Sequence, residues 1–143
     1  ISAAGPGNAV LIKSGYPWLD DWSGPEALQR MQALNPDAAG RPRPIAGLCA
    51  GQTLLCKSLG LKVPDWDAKR FDPATFFVDD VGERPPVLLR ARRLGIPAGR
   101  DEHLPYRYVD AAYAACCTRN PARRGQVPGV DYWRVDRCGR PLD

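Results

Sequence analysis

The sequence predicts a mainly α-helical fold in which short helices are joined by much irregular or extended chain, with few short strands. Fifteen prolines and fourteen glycines are spread over the 143 residues, and the longest stretch without proline is residues 45–63. Proline removes a backbone donor and glycine costs backbone entropy, so regular structure ends near each of them. Because 44% of the residues are hydrophobic, we nevertheless expect an ordered chain. Four short helices are expected, near residues 24–34, 46–59, 87–94 and 105–118.

The first helix, expected over residues 24–34, has a clear start and a clear stop. Ser23 suits the N-cap position and Glu26 lies three residues further on, which is the spacing of a capping box. Asn35 and Pro36 end the helix, because the residue before a proline disfavours the helical conformation.

The second helix, expected over residues 46–59, has the strongest helical pattern and is the expected centre of the core. Leu48, Leu55 and Leu59 fall near one face of such a helix, and Gly60 supplies a C-terminal stop.

Two further helices are expected in the second half of the chain. Residues 87–94 are rich in arginine and are followed by Gly95, a frequent C-terminal stop. Residues 105–118 begin with a proline, contain an alanine-rich centre and are ended by Pro121.

The chain is expected to form a single unit, residues 1–143, with extended arms at residues 1–22 and 121–143. The apolar run at residues 9–13 is typical of a strand and suits addition to the sheet edge of another protein. Ordering a backbone costs about 1–2 kcal/mol per residue, which an extended arm does not recover alone. Partner surfaces are therefore expected to cover the arms. The residues expected to bind partners are Trp18, Trp22, Arg119, Arg123, Arg124, Tyr132 and Trp133.

Positive charge is concentrated towards the C-terminus. Residues 1–81 carry eight basic and nine acidic side chains, and residues 82–143 carry twelve basic side chains, all Arg, and seven acidic ones, so the two segments sum to −1 and +5. Arg119, Arg123 and Arg124 exceed what capping of a helix needs, and their guanidinium groups suit a carboxylate, carbonyl oxygens, or a phosphate or lipid head group. A solvated face explains them equally well. The sequence shows no basic stripe interleaved with aromatic residues, which a nucleic-acid-binding protein would favour.

Candidate catalytic and metal-binding groups are few. The five cysteines lack the paired spacing of zinc sites and there is one histidine, so neither a metal site nor a cofactor is expected. One arrangement remains, with Cys49 as nucleophile and His103 as its base. The segment around Cys49 and the Leu59-Gly60 turn resembles papain-like cell-wall peptidases, so a small cysteine hydrolase is an alternative.

Several short motifs follow one another in the C-terminal third. They are a proline-glycine turn at residues 96–99, a histidine segment at 103–104, an arginine-rich stretch at 116–124 and a proline at 128. In this order they resemble a small accessory subunit of mitochondrial respiratory complex I. The resemblance implies a structural role without catalytic residues.

The sequence therefore predicts a non-catalytic accessory subunit of a large assembly, most simply a mitochondrial respiratory-chain complex. It would contact neighbouring subunits and lie peripheral to the membrane, because no run approaches the roughly 18 apolar residues of a membrane span. The first residue is Ile1 rather than Met, which fits either removal of a targeting segment or a sequence that gives only part of the chain. Besides the hydrolase, an RNA-bound mitoribosomal protein is a second alternative.

Overall fold

The chain divides into two compact units, Ile1–Lys62 and Val63–Asp143. The structure is a computed structural model and describes residues 9–21, 23–70 and 72–142. In these residues the first unit contains short helices, and the second contains a three-stranded antiparallel sheet. The prediction of a mainly α-helical fold is therefore wrong, and the fold is mixed.

Three helices build the first unit: α1 (Gly24–Leu34), α2 (Ile45–Leu48) and α3 (Gln52–Ser58). Helix α1 has the bounds that the sequence predicts. The expected capping box does not form, because both the backbone N–H and the hydroxyl of Ser23 donate to the Asp20 carboxylate, at 2.8 and 2.7 Å.

The helix predicted over residues 46–59 is broken into α2 and α3 between Leu48 and Gln52. A continuous helix would use the Leu48 carbonyl oxygen for a backbone bond four residues on. That oxygen instead accepts from the Asn35 amide at 2.9 Å and from the Ser58 hydroxyl at 2.9 Å. Glycine at position 51 also has a low helical propensity, which favours a break at this point.

A polar network lies at the centre of the first unit. Asn35 and Ser58 are buried together with Leu48 and Cys49. The Asn35 amide donates to the carbonyl oxygen of Leu48, to that of Leu54 at 3.2 Å, and to the Ser58 hydroxyl oxygen at 3.1 Å. One side chain thus fixes the end of α1 against both following helices.

The second unit begins with a short helix and continues into the sheet. Strand β1 lies in the middle and pairs antiparallel with β2 on one side and with β3 on the other. The elements are α4 (Val63–Trp66), β1 (Leu88–Ala91), β2 (Arg107–Asp110), a 3-10 helix (Ala111–Cys116) and β3 (Tyr132–Val135).

The two helices predicted in this half are wrong for the same reason. Residues 87–94 contain β1, in which half-buried and buried residues alternate with the period of a strand. Residues 105–118 contain β2 and then the 3-10 helix, whose N-cap is Asp110. Pairing between distant strands determines the structure of residues 88–91 and 107–110, and the alanine-rich segment that follows forms only the short 3-10 helix.

The segments predicted as arms differ from each other. Residues 132–135 form β3 within the sheet, and Val135 is fully buried. Residues 9–13 form no strand and are exposed at Val10, Leu11 and Ile12. The single-unit organisation with two arms otherwise stays a prediction.

The same five-residue turn occurs once in each unit, at residues 37–41 and 136–140. In the first, the Asp37 carboxylate accepts from the backbone N–H of Ala39 and of Arg41, both at 2.8 Å, and pairs with the Arg41 guanidinium. In the second, Asp136 makes the same set of contacts with residues 138 and 140. The shared sequence is Asp-x-x-Gly-Arg, and we call it the Asp-Arg turn.

No helix in the described part of the chain has the length and apolar character needed to cross a membrane.

Candidate nucleic-acid interface

Arg107, the first residue of β2, holds the segment that follows the 3-10 helix. Its Nη2 donates to the carbonyl oxygen of Thr118 at 2.6 Å and to that of Arg119 at 3.0 Å, and contacts Cys117 Sγ at 3.6 Å. Strand pairing with Ala91 fixes the backbone of Arg107. The sheet therefore positions the turn that carries Arg119.

This turn has a defined backbone. Arg119 adopts a left-handed conformation, with φ of 51°, which is uncommon for a residue with a side chain. The Asn120 side chain accepts from the backbone N–H of Ala122 at 2.8 Å, and the Arg123 N–H donates to the Asn120 carbonyl oxygen at 3.2 Å. The side chains of Arg119 and Arg123 are consequently presented to solvent from a structured loop.

Positive charge accumulates around Arg107. Burial lowers the pKa of its guanidinium, the adjacent Cys117 thiol raises this pKa, and the charges of Arg123 and Arg119 lower it again. The guanidinium groups of Arg119 and Arg123 therefore lie close enough to Arg107 for their charges to act on it. We call Arg107, Arg119 and Arg123 the arginine cluster.

The arginine cluster has no acidic partner in the described part of the chain. Ion pairs there join other residues, namely Asp37 to Arg41, Asp80 to Arg84, and Asp136 to Arg140. Guanidinium groups remain charged in proteins. The cluster is thus a site of uncompensated positive charge, which suits an anion such as phosphate.

The structure brings together only some of the residues predicted to bind partners. Arg119 and Arg123 join the cluster, and Arg124 is exposed beside them. Tyr132 and Trp133 lie half-buried in β3. Trp18 is 74% exposed in the first unit, and Trp22 lies outside the described residues. As partner-binding residues all seven stay predictions.

Sequence reasoning missed Arg107, the residue that organises the cluster. The available signal was the adjacent aromatic and β-branched residues Tyr108 and Val109, both of which favour a strand. Reading this segment as the start of a helix hid it.

The alternative of a cysteine nucleophile is wrong. Cys49 follows the end of α2 and does not begin a helix, so no helix N-terminus lowers the pKa of its thiol. Burial raises that pKa instead, against the opposing effect of a hydrogen bond with Ser58. His103 is exposed in the loop before β2. In residues 9–21, 23–70 and 72–142, no group of three or more His, Cys, Asp or Glu residues is placed to hold a metal ion.

Comparison with known proteins identifies a family. Residues 1–114 match the family described as methylpurine-DNA glycosylase (MPG). A protein of Pseudomonas aeruginosa named "Putative 3-methyladenine DNA glycosylase" is 74% identical over 131 residues, covering 92% of this chain and 55% of that protein. Proteins with the same name are 67% identical in Pseudomonas fluorescens, covering 92% and 57%, and 64% identical in Pseudomonas savastanoi pv. phaseolicola, covering 95% and 61%. The chain thus spans little more than half the length of these relatives. No solved structure matches it.

These matches overturn the predicted identity and setting of the protein. The resemblance to complex I depends on a few proline, glycine and arginine motifs, whereas the family match is continuous over 114 residues. A non-enzymatic subunit of a respiratory assembly, a cysteine hydrolase and a mitoribosomal protein are all wrong, because the family is one of DNA glycosylases. The relatives are bacterial, so the mitochondrial location is wrong as well. With this match and this identity, the chain belongs to the methylpurine-DNA glycosylase family.

Proposed function

We propose that this protein takes part in the removal of methylated purines from DNA, and that the arginine cluster binds the DNA backbone in that reaction. The family and the names of the relatives supply the reaction class. The observation that carries the DNA-binding role is the arginine cluster itself, in which Arg119 and Arg123 flank Arg107 and none of the three has a carboxylate partner among the described residues.

The chemistry of a glycosylase explains why such a cluster is useful. An enzyme that cuts the bond between a base and its deoxyribose takes the base out of the stack, which costs a few kcal/mol of stacking and pairing. The rest of the duplex must be held meanwhile. Phosphate contacts fix the position of a protein on DNA without reading its sequence, which suits an enzyme whose target occurs in any sequence.

Two members of the cluster are available to an anion. Arg107 donates to backbone carbonyl groups, while Arg119 and Arg123 are exposed and free of ion pairs with described residues. A phosphate bound there accepts charge-assisted hydrogen bonds, each worth about 1.5–3 kcal/mol. This chain is assigned DNA-binding residues and no catalytic residue.

The salt dependence of binding tests this proposal. We expect the chain to bind a duplex of unmodified DNA, measured by fluorescence anisotropy at several salt concentrations. In the variant with both Arg119→Gln and Arg123→Gln, affinity should fall for every sequence, and the slope of log K against log salt should become shallower by about one per arginine.

A charge-matched control separates the cluster from net charge. The variant with both Arg84→Gln and Arg140→Gln removes two exposed arginines of the same unit that are already paired with carboxylates. We expect its salt slope to stay close to that of the wild type. If the two double variants behave alike, or if the chain binds no duplex, the proposed role of the cluster is wrong. Release of methylated purines from DNA by the full-length protein is the matching assay of the reaction class.

A further inference from the structure

The sheet of the second unit carries a row of alternating aromatic and basic side chains. Arg90 in β1 lies directly opposite Tyr108 in β2 and directly opposite Trp133 in β3. Residues opposite each other in antiparallel strands project from the same face. The Arg90 Cζ lies 5.9 Å from the centroid of the Trp133 ring, within the range of a cation–π contact. We call Tyr108, Arg90 and Trp133 the aromatic-arginine row.

Arg90 has a charge that no described carboxylate neutralises. Its Nε is buried without a hydrogen-bond partner, and it forms no ion pair with a described carboxylate. The carboxylate of Asp110, on the same face by register, accepts from the backbone N–H of Ala112 at 2.9 Å instead. A guanidinium in this position favours an incoming anion.

The row lies at the open end of its face. Val135, opposite Leu88 on that face, is fully buried, so the sheet is covered there. Asp110 lies opposite Leu88 on the other side of β1. Two residues before Asp110 in β2, on the same face, the Tyr108 side chain is 52% exposed. An exposed aromatic ring beside a charged guanidinium is the combination that binds nucleotides, with the base on the ring and the phosphate on the charge.

We propose that the aromatic-arginine row binds an unpaired nucleotide of a DNA strand, with the base stacked on Tyr108 and its phosphate paired with Arg90. The two outer strands lie about 10 Å apart across the row, because neighbouring strands are spaced at about 4.7–4.9 Å. That distance accommodates one or two nucleotides. Stacking tolerates any base, because every base has a π-face.

This inference rests on the proposed function, which supplies the ligand. When a base is taken out of a duplex, its former partner is left unpaired. Tyr108 follows Arg107 directly along the edge strand β2, so the side chains of these two residues lie on opposite faces of the sheet. The two sites are therefore separable by mutation.

Binding of a single-stranded oligothymidylate of about ten nucleotides tests the row. Tyr108→Leu should weaken binding by about 5- to 100-fold, the range expected from loss of one base–aromatic stack. Tyr108→Phe should keep the affinity, because it keeps the ring. Arg90→Gln should weaken binding and reduce the salt slope by about one.

The control is Phe77→Leu, which removes an aromatic side chain that is 58% exposed outside the sheet, and should leave binding unchanged. Circular dichroism verifies that each variant keeps its fold, and Tyr108 is exposed enough for Leu to be tolerated. Equal affinities of the Tyr108→Leu, Tyr108→Phe and wild-type proteins would show that the row does not bind a nucleotide. A wild type that binds duplex DNA but no single strand would show the same. A wild type that binds neither would overturn the proposed function together with the row.

Discussion

At the scale of single residues, Asn35 shows how one polar side chain determines a fold. Its sequence context, Asn-Pro after an amphipathic helix, indicates a helix end and nothing more. In the structure the amide is 1% exposed and has acceptors from α2 and α3. A buried amide costs stability unless its donors are used, and here both hydrogens have acceptors. Asn35 thereby breaks the predicted second helix, by taking the Leu48 carbonyl oxygen.

We therefore expect Asn35→Ala to destabilise the protein by about 2–3 kcal/mol, since it removes the donor to the buried Leu48 carbonyl oxygen and to the half-buried Leu54 carbonyl oxygen, and with it most of the network. Urea denaturation measures the free energy of unfolding. Ser58→Ala, which leaves the Asn35 contacts to both carbonyl groups in place, should cost only about 1 kcal/mol. Equal losses in the two variants would show that the Asn35 amide is not the centre of the network.

At the scale of elements, the Asp-Arg turns show that a short sequence specifies the same local structure in two settings. Gly40 and Gly139 occupy the fourth position, with φ of 76° and 79°. Each turn is closed by an Asp carboxylate whose pKa is held below its ordinary value, chiefly by the backbone N–H of the arginine. A left-handed residue in the fourth position brings the backbone of the arginine back to the aspartate. The five-residue pattern is too short to stand out as a repeat before its geometry is seen.

Replacing Gly139 with Ala should destabilise the protein by about 1–2 kcal/mol, the cost of a left-handed conformation for a residue with a Cβ. No atom lies within 4 Å of the added Cβ, so the backbone conformation is the whole cause. Gly47→Ala is the control, because Gly47 lies in α2 and its φ is not positive. That variant should be neutral or slightly stabilising in the same urea experiment. A neutral Gly139→Ala would mean that the turn changes its conformation at no cost.

At the scale of the whole molecule, local sequence patterns predict single helices and miss the contacts that form when distant strands pair. The α1 helix was predictable because its periodicity and its Asn-Pro stop lie within thirteen residues. The sheet was not, because its strands are only four residues long. Arg90 is separated in sequence from Tyr108 by 18 positions and from Trp133 by 43, so the aromatic-arginine row forms only through strand register. Only part of the arginine cluster could be predicted from the sequence. Arg119 and Arg123 lie close together in the chain, whereas Arg107 lies in a different element.

The type of basic residue determines how the whole molecule should respond to pH. Burial and the charges of Arg123 and Arg119 lower the pKa of Arg107, against the opposing effect of Cys117. A lower pKa weakens anion binding only at a pH at which the guanidinium loses its proton. Guanidinium groups do not lose their proton in proteins, and the chain has a single histidine, His103. We therefore expect the affinity for duplex DNA to stay constant between about pH 6 and pH 9 at fixed ionic strength, while it falls steeply with added salt. A decrease in affinity with rising pH across this range would contradict the expectation, because it would show that the main anion contact comes from a group that loses its proton there and not from the arginines.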